Sequence, residues 1–461
     1  MKAKGAENRA LRLKAGDFEG LTFRIRKNVA TAAEQIRTRG EYFSSLLEPM
    51  GEVYSFKGNN SLSRDKLNYD AGSVKNIHYG DIHTKFSTHF VITRELVPFI
   101  NEAEECVIRD ENLCTEGDMI FADASEDMAD IGKAIEITHL NGERVVSGLH
   151  TILARRMGER IALGFGGHLF KSGWVRTQIQ KEAQGAKVLG ISPKRLRNVQ
   201  LPLPNDSAEQ QKIADCLSAV DELIAAQARK VDALKTHKKG LMQQLFPREG
   251  ETQPRLRFPE FQGTTGWTLE KIENLAKRGS GHTPSKSVPE YYGGGVKWVS
   301  LADSKRLDAG FISETETNIS ELGIKNSSAV LHPAGAVLIS RDAGVGKSAV
   351  MAVPMAVSQH FIVWVCDNQK LCNWFLYYLL QLMKPIFERI ATGSTIKTIG
   401  LPFFKELSIA VPSVSEQKRI ADCLTSLDTL ITTATQELET LKTHKKGLMQ
   451  QLFPSVEAGE G

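Results

Sequence analysis

The chain has 461 residues, of which 41% are hydrophobic and 24% are charged, and its formal net charge is +4. This composition is typical of a globular protein with two or three domains, and no apolar run is long enough to span a membrane. The small excess of lysine and arginine is compatible with nucleic-acid binding but does not by itself indicate it. Without an apolar leader at the N-terminus, we expect a cytoplasmic protein.

Two parts of the sequence are repeated without change. Residues 234–247 and 441–454 both read LKTHKKGLMQQLFP, and residues 213–217 and 420–424 both read IADCL. Both repeats lie 207 positions apart, which indicates an internal duplication. The sequence between the repeats differs, so we expect one framework that presents two different surfaces.

A block of strand and turn patterns comes before each repeated segment. The two blocks differ in sequence but share short segments in the same order. The matching segments are 74–81 with 296–303, 117–121 with 335–339, 132–134 with 346–348, 146–147 with 357–358, and 185–191 with 393–401. His150 and His360 follow the fourth pair of segments. The loops between the segments differ most, and loops are where a common fold changes what it recognises.

Each block ends in a short apolar strand that leads into a long helix. Apolar residues then recur at steps of four and three, which predicts a coiled-coil seam. The predicted seam residues are Ile213, Leu217, Val220, Ile224, Val231, Leu234, Leu241, Leu245, Ile420, Leu424, Leu427, Ile431, Leu438, Leu441, Leu448 and Leu452. Lys238 and Lys445 interrupt this seam. Asp206-x-x-Glu209 and Ser413-x-x-Glu416 resemble capping boxes, and a Phe-Pro pair closes each helix.

A helix of about 38 residues must bury its apolar stripe against a partner. Because one chain carries both helices, we predict an intramolecular pair, either antiparallel or parallel. A coiled coil between two chains is the alternative.

Together these segments resemble the specificity subunits of type I restriction-modification systems. The resemblance is carried by the repeated IADCL and LKTHKKGLMQQLFP, by IHYGDI and GDMIFADASED in the first block, and by YYGGGVKWVS and ATGSTIKTIGLP in the second. It implies an α+β fold in which two α/β target-recognition domains form a tandem pseudo-repeat. Two long helices would separate these domains and form an intramolecular antiparallel coiled coil.

The corresponding domain boundaries follow from the repeats. We expect a first target-recognition domain over 1–205, a central helix over 206–247, a second target-recognition domain over 248–412, a C-terminal helix over 413–454 and a tail over 455–461.

The resemblance also implies a function without catalysis. Each domain would read one half of a bipartite double-stranded DNA target, and the helices would space the halves and dock two methyltransferase subunits. Those partners would bind S-adenosylmethionine and methylate adenine, and motor-nuclease subunits that use ATP and magnesium would complete the restriction complex. We expect no cofactor and no metal in this chain, in a bacterial or archaeal cytoplasm.

Basic and small residues on the divergent segments are the candidates for DNA contact. Most of them would contact phosphates, and only a few side chains would read base edges. The candidates are Lys75, Lys133, Arg155, Arg156, Lys171, Arg176, Gly185, Lys187, Lys297, Lys305, Arg306, Arg341, Lys347, Arg389, Ser394, Thr395 and Lys397.

Two other functions have some support in the sequence. Residues 344–348, GVGKS, resemble part of a phosphate-binding loop and would favour a nucleotide-binding enzyme. Arg341 stands where that motif needs its first glycine, so a hairpin turn is the better interpretation. The other alternative is a coiled-coil adaptor that reads no DNA sequence.

One further group resembles a metal site. His78, Asp81 and His83 lie close together in sequence, but the second block has Ser300, Asp303 and Lys305 at the matching positions. Only the aspartate recurs, and we expect it to make structural hydrogen bonds.

Overall fold

The computed structural model describes residues 46–393 and 397–453. The chain divides into two compact units. Unit 1 comprises the described residues up to Ala228 and from Gln436 onward, and unit 2 comprises those from Arg229 to Thr435. Both units combine helices with mixed sheets, which confirms the predicted α+β class. The predicted domain boundaries stay a prediction, and the predicted tail over 455–461 lies outside the described residues.

Besides the C-terminal part of the second long helix, unit 1 contains thirteen short strands and six α-helices, the last of which continues into unit 2. In chain order they are β1 (Leu46–Pro49), α1 (Met50–Val53), β2 (Tyr54–Lys57), β3 (Leu67–Asn68), β4 (Lys75–Ile77), α2 (Tyr79–Thr84), β5 (His89–Val91), β6 (Phe99–Ile100), β7 (Met119–Ala122), β8 (Ala124–Ser125), β9 (Ala134–His139), β10 (Val145–Ser147), β11 (Thr151–Arg156), α3 (Phe165–Leu169), α4 (Gly173–Glu182), β12 (Leu189–Gly190), α5 (Pro193–Leu196), β13 (Gln200–Leu203) and α6 (Ser207–Leu245).

Unit 2 repeats this sequence of elements with fewer strands. They are β14 (Thr268–Lys271), α7 (Ile272–Leu275), β15 (Ala276–Ser280), β16 (Tyr292–Val299), β17 (Phe311–Ile312), β18 (Thr317–Ile319), α8 (Glu321–Lys325), β19 (Val337–Ser340), β20 (Ser348–Met351), β21 (Ala356–Val357), β22 (Phe361–Cys366), α9 (Asn373–Ile390), α10 (Leu401–Glu406), β23 (Ser408–Val411) and α11 (Val414–Leu452).

The main sheet has the same topology in both units. Its strand order is β2-β11-β7-β9-β5 in unit 1 and β15-β22-β19-β20-β17 in unit 2. In each sheet the last pair is parallel and the others are antiparallel. A separate two-stranded ribbon, β1-β13 or β14-β23, precedes each long helix. The shared order is the structural form of the duplication seen in the sequence.

A smaller sheet in each unit contains one parallel pair. In unit 1, β4 pairs in parallel with β10, and in unit 2, β16 pairs in parallel with β21. The carboxyl ends of two parallel strands meet at one edge, so the residues that follow these strands lie together. This edge is the part of the scaffold that positions the candidate site.

The two long helices, α6 and α11, each contain 39 residues, which corresponds to a length of about 58 Å. Each contributes one part to unit 1 and another to unit 2. In unit 1, Asp221 contacts Lys445 and Gln227 contacts Glu437, so residue numbers rise on one helix as they fall on the other. The helices are therefore antiparallel, as the family resemblance implied.

Unit 2 contains its own portion of this antiparallel pair. There Leu245 packs in one apolar cluster with Ile420 and Leu424, and Lys238 contacts Asp428. Of the sixteen predicted seam residues, ten are buried and six are half-buried. Burial of this stripe is the main stabilising term for helices with so many charged residues.

The two helix N-termini differ from the predicted capping boxes. Asp206 Oδ1 accepts a hydrogen bond from the Ala208 amide, and Ser413 Oγ accepts one from the Glu416 amide at 3.4 Å. The Glu416 side chain, however, does not complete a box. It binds the Arg257 guanidinium through both carboxylate oxygens, at 2.8 and 2.6 Å, and is almost fully buried. The sequence predicts a helix cap at Glu416, but the observed role of its side chain is to tie the segment before β14 to α11.

No helix in the described part of the chain is both long enough and apolar enough to cross a membrane.

Candidate nucleic-acid interface

Backbone hydrogen bonds at the parallel strand edges are equivalent in the two units. Gly148 N donates to Ile77 O in unit 1, and Ser358 N donates to Val299 O in unit 2. A second equivalent hydrogen bond is donated by Asp123 N to His150 O in unit 1 and by Arg341 N to His360 O in unit 2. The two histidines therefore occupy the same place in the fold.

This equivalence corrects one of the sequence matches. Matching Val146-Ser147 with Val357-Ser358 places the two serines together, but the hydrogen bonds place Ser147 at Val357. Asn60 N donates to Ser147 O, as His282 N donates to Val357 O. The difference is one residue, because the loop to the histidine is one residue longer after the serine of unit 1.

Both histidines are held by an aspartate from the neighbouring loop. His150 Nδ1 lies 3.2 Å from Asp123 Oδ1, and His360 Nδ1 lies 2.8 Å from Asp342 Oδ2. A carboxylate at Nδ1 accepts the proton on that nitrogen and so fixes the orientation of the ring. The two sites thus share an oriented imidazole.

The side chains around these histidines differ. In unit 1, the Tyr79 ring contacts the rings of His78, His83 and His150 at centroid distances of 4.6, 6.1 and 5.3 Å, the last two edge-on. Burial and the positive charge of Arg64 lower the pKa of His78. His78 is therefore a neutral imidazole near pH 7, and its Nδ1 accepts from the Gly80 amide.

The same edge of unit 2 forms an open cleft of about 610 Å³. Trp298 and Tyr292 supply its aromatic surface, and hydroxyl, amide, ammonium and imidazole groups supply its polar surface. Its lining residues are Thr283, Lys286, Tyr292, Trp298, Ser300, Leu301, Ala302, Thr317, Ser358, Gln359 and His360. A concave site with a few convergent polar groups is typical of a binding site.

A lysine-rich cavity of about 490 Å³ lies in the same unit. Lys347, Lys384 and Lys397 line it, together with Glu388 and residues 343–345. Lys384 forms an ion pair with Asp308 at 2.7 Å.

The loop that resembles a phosphate-binding loop forms one wall of this cavity. It joins the antiparallel strands β19 and β20, as a hairpin turn does. Lys347 Nζ donates to the backbone oxygen of Ser304 at 3.0 Å and to its hydroxyl at 3.1 Å. No long helix follows the loop, so it lacks the helix N-terminus that cradles phosphates in nucleotide-binding loops.

Several candidate DNA-binding side chains are engaged within their own unit. Arg176 donates to three backbone oxygens, those of Ala129, Ile131 and Gly132, and Arg155 pairs with buried Asp118. The others with internal partners are Lys75 with Glu143, Lys133 with His83 O, Arg156 with Ile161 O, Lys297 with Glu314, Arg306 with Asp303 and Glu316, Arg341 with Ile399 O, and Arg389 with Glu249.

Four candidate lysines are exposed: Lys171, Lys187, Lys305 and Lys397. Partial burial nevertheless lowers the pKa of Lys171. Gly185 has a φ of +133°, and a Cβ there would lie 2.0 Å from Val188 O, so only glycine fits. Glycine at this position is therefore explained by the geometry of the turn, without any contact to DNA. Ser394 and Thr395 lie outside the described residues.

Asp81 and Asp303 make structural contacts. Asp81 is fully buried and pairs with Arg64 and Lys85, and Asp303 accepts from the Ser300 and Glu316 amides. His83 Nε2 lies 3.1 Å from Ala124 O.

A different group has the geometry of a metal site. His89, His168 and Asp221 each place one ligand atom within 4.8 Å of the others. Burial lowers the pKa of both imidazoles. His89 Nε2 donates to Gly164 O, however, and Lys445 Nζ contacts both oxygens of Asp221. His168 Nε2 lies 3.1 Å from Ser218 Oγ on α6. Because the Lys445 ammonium neutralises the one carboxylate, we interpret the group as a hydrogen-bonded contact with α6.

Sequence reasoning missed Gln359, Thr283, Asp342 and Lys384. None belongs to a repeated segment with a recognisable motif. Lys384 had one signal, since it is the only cation among the first sixteen residues of the apolar helix α9.

A family model for the type I restriction modification DNA specificity domain matches residues 169–236 and 264–443, more than half of the chain. The chain belongs to this family. The family model covers both long helices in large part and most of unit 2.

Individual members of the family are also similar to this specificity-domain protein. The MjaIX specificity subunit of Methanocaldococcus jannaschii is 30% identical over 193 residues, which are 41% of this chain and less than half, 44%, of that protein. The putative MjaX specificity subunit of the same organism is 25% identical over 73% of this chain and 77% of its own length. The EcoR124I/EcoR124II specificity subunit of Escherichia coli is 26% identical over 58% of this chain and 64% of its own length.

Solved structures share the fold. The S subunit of a type I restriction-modification system from M. genitalium superposes with a TM-score of 0.56 over 89% of this chain and 96% of its own length, at 14% identity. A chain of another type I R-M system gives a TM-score of 0.54 over 89% and 98%, at 16% identity.

Proposed function

We propose that this protein is the DNA-recognition subunit of a type I restriction-modification enzyme and that it carries no catalytic site. Each unit would read one half of a bipartite target in double-stranded DNA. One observation carries the proposal: two units with the same strand order and the same edge hydrogen bonds present different side chains at that edge. A common scaffold with two different edges fits a target with two different halves.

The long helices would connect the two units that read the half-sites. A helix pair is a stiff element, and α6 and α11 each run through both units. We propose that the pair sets the spacer between the half-sites and docks two methyltransferase subunits. The domain boundaries given above, 1–205, 206–247, 248–412 and 413–454, are part of this proposal.

The chemistry would belong to the partners. The methyltransferase subunits would bind S-adenosylmethionine and extrude the target adenine, which requires a firmly held duplex. Motor-nuclease subunits that use ATP and magnesium would join them for restriction. The place of action would be the cytoplasm.

A domain exchange tests the proposal. Residues 21–200 are replaced by the matching segment of a family member with a known target, and the methylated motif is determined by long-read sequencing of host DNA. We expect one half-site to change and the other to stay. A change in both halves, or in neither, contradicts independent reading by two units.

Binding measurements distinguish the alternatives. A sequence-reading subunit in complex with its methyltransferase partners should bind duplex DNA with an affinity that falls steeply as salt is raised, because phosphate contacts release counterions. An adaptor would show no such binding. A nucleotide-binding enzyme would bind ATP with an affinity that is lost in Lys347→Ala.

A further inference from the structure

We infer that Gln359 and His360 are specificity-determining residues that contact base edges of the half-site bound by unit 2. The inference rests on the proposed function and adds the side chains that carry it. It follows from four features of the cleft in unit 2.

The first feature is the way in which the two side chains are presented. Gln359 is exposed, and its Oε1 accepts from Thr283 Oγ1 at 2.6 Å, which orients the amide. Its Nε2 lies 3.4 Å from His360 Nε2. Asp342 fixes the other ring nitrogen of His360. An oriented amide next to an oriented imidazole offers the donors and acceptors by which proteins distinguish base pairs.

The second feature is an unused hydroxyl in the cleft. Ser358 is 1% exposed, and its Oγ has no hydrogen-bond partner among the described residues. Buried hydroxyl groups are nearly always hydrogen-bonded, so an unpaired one indicates a missing partner. Ser358 lines the cleft beside Gln359, and a ligand with polar edges would supply that partner.

The third feature is the adjacent positive charge. Asp342, which holds His360, begins the loop whose next residues, 343–345, line the cavity of Lys347, Lys384 and Lys397. In protein–DNA complexes, phosphate contacts fix the register and neighbouring side chains read the bases. The lining of the lysine cavity starts at the residue after Asp342, so one loop both holds His360 of the cleft and borders the lysines.

The fourth feature is the comparison with unit 1. The equivalent backbone bonds place Leu149 where unit 2 has Gln359, and His150 where it has His360. The histidine recurs, but the amide is replaced by an aliphatic side chain. A position with conserved backbone geometry and changed hydrogen-bonding capacity is where two halves of a target would be distinguished.

The test uses Gln359→Leu, which gives unit 2 the residue of unit 1. The full-length variant is expressed in cells with the rest of the system, and the methylated motif is read from genomic DNA. We expect relaxed discrimination at one position of one half-site, by about 5- to 150-fold, the range for one lost bidentate base contact. The other half-site should not change.

Three further variants sharpen the result. Gln369→Leu makes the same substitution at an exposed position of unit 2 that does not line the cleft, and should leave the motif unchanged. Leu149→Gln should alter the half-site that Gln359→Leu leaves alone. His360→Ala should relax a position next to that affected by Gln359→Leu, and His360→Gln should restore part of the discrimination.

The outcomes separate this inference from the proposed function. If Gln359→Leu and His360→Ala leave the motif unchanged while exchange of a whole unit changes one half-site, the inference is wrong and the function stands. If neither experiment changes the motif, the function itself fails. If a variant loses methylation altogether, its complex with the partner subunits is bound to a randomised DNA library, and the enriched sequences show whether base reading or only the structure is impaired. Equal weakening on all sequences would make the residues structural and overturn the inference.

Discussion

Lys445 Nζ lies 2.6 and 2.7 Å from the two carboxylate oxygens of Asp221, on the opposite helix of the pair in unit 1. Lys238 Nζ lies 2.5 Å from Asp428 Oδ1 in unit 2. The lysines are 207 positions apart and so are the aspartates, so the duplication has preserved the pair with the helices exchanged. The side-chain exposures, 18% and 37% in unit 1 against 19% and 37% in unit 2, are nearly identical.

These pairs have a role in specifying the helix alignment. A polar residue in an apolar seam costs stability unless its partner is opposite, so it disfavours other registers and orientations. The Lys445→Met variant should therefore lower the free energy of unfolding of unit 1 by about 1 to 2 kcal/mol, because Asp221 loses its partner while still one-third exposed. Urea denaturation measures this change, and Lys446→Met, at an exposed neighbouring position, is the control.

Charge exchange tests the alignment itself. The double variant with Asp221→Lys and Lys445→Asp re-forms the pair with reversed charges, and should recover most of the lost stability. A double variant no more stable than the worse of its single variants would show that the pair contributes no specific interaction.

How far the sequence predicts the helix pair can be seen at these residues. The seam steps of four and three predicted two long helices, because apolar periodicity depends only on local sequence. The first seam residues, Ile213 and Ile420, lie six positions inside the observed starts of the helices at Ser207 and Val414. The spacing of apolar residues along the seam is compatible with both parallel and antiparallel pairing, so it did not determine the relative direction of the two helices. Lys238 and Lys445 were recognised only as interruptions. Their partners Asp221 and Asp428 lie outside the apolar pattern, and only the three-dimensional pairing identifies them.

The candidate site was harder to predict for a related reason. The cleft in unit 2 brings together Thr283, Trp298 and Gln359, which are far apart in sequence and meet because β16 pairs with β21. The repeats did identify His150 and His360 and the strands before them. A count of basic residues, by contrast, selected Arg155 and Arg176, whose guanidinium groups hold loops of their own unit.

A second repeated feature is a buried glutamine on each long helix that forms hydrogen bonds to the domain before it. Gln210 is fully buried, accepts from the Ala162 amide and donates to the backbone oxygens of Arg160 and Pro204. Gln417, also 207 positions later, does the same with Cys372, Lys370 and Pro412.

Gln210→Leu should therefore destabilise unit 1 strongly. Three buried or half-buried backbone groups would lose their partner, and we expect a loss of about 3 kcal/mol in the free energy of unfolding. Gln211→Leu changes the adjacent, exposed glutamine of the same helix turn and should cost less than about 0.5 kcal/mol. Equal losses from the two variants in chemical denaturation would show that the buried hydrogen bonds contribute little.

The buried carboxyl group of Glu136 makes the stability of unit 1 depend on pH. Burial raises the pKa of this carboxyl group from 4.5 to about 7, and hydrogen bonds from the Gly167 and Gly164 amides oppose the shift only in part. Between pH 4.5 and 7 the folded state therefore binds a proton that the unfolded state has released. The stabilisation that comes from binding this proton only in the folded state is fully present below pH 4.5 and is lost as the pH rises to 7.

Glu136→Gln removes this dependence, because the amide is neutral at every pH. The stability of the variant relative to the wild type should rise with pH across that window, by up to about 3 kcal/mol, and be constant above it. Amide hydrogen exchange in β9 and β11, compared at several pH values, measures the difference. Glu159→Gln, at an exposed site of the same unit, controls for the substitution itself. A constant difference for Glu136→Gln would mean that the carboxyl is ionised throughout.

Lengthening both helices tests whether they set the DNA spacer. One heptad inserted after Ala228 in α6 and one after Thr435 in α11 keeps the seam in phase, because the coiled-coil repeat is seven residues. Both insertions fall where a helix passes from one unit into the other, so the pairs Asp221–Lys445 and Lys238–Asp428 remain within their own units. Seven residues add about 10 Å of helix, which corresponds to about three base pairs.

We therefore expect the methylated motif of the doubly lengthened protein to keep both half-sites and to gain about three base pairs between them, as read by sequencing of host DNA. A heptad in α6 alone leaves seven residues without a partner and shifts one lysine–aspartate pair out of register, so this control should lose methylation or stability. An unchanged spacer in the double insertion would mean that the partner subunits, rather than the helix pair, set the distance between the half-sites. Altered half-sites would mean that the insertion had disturbed the units themselves.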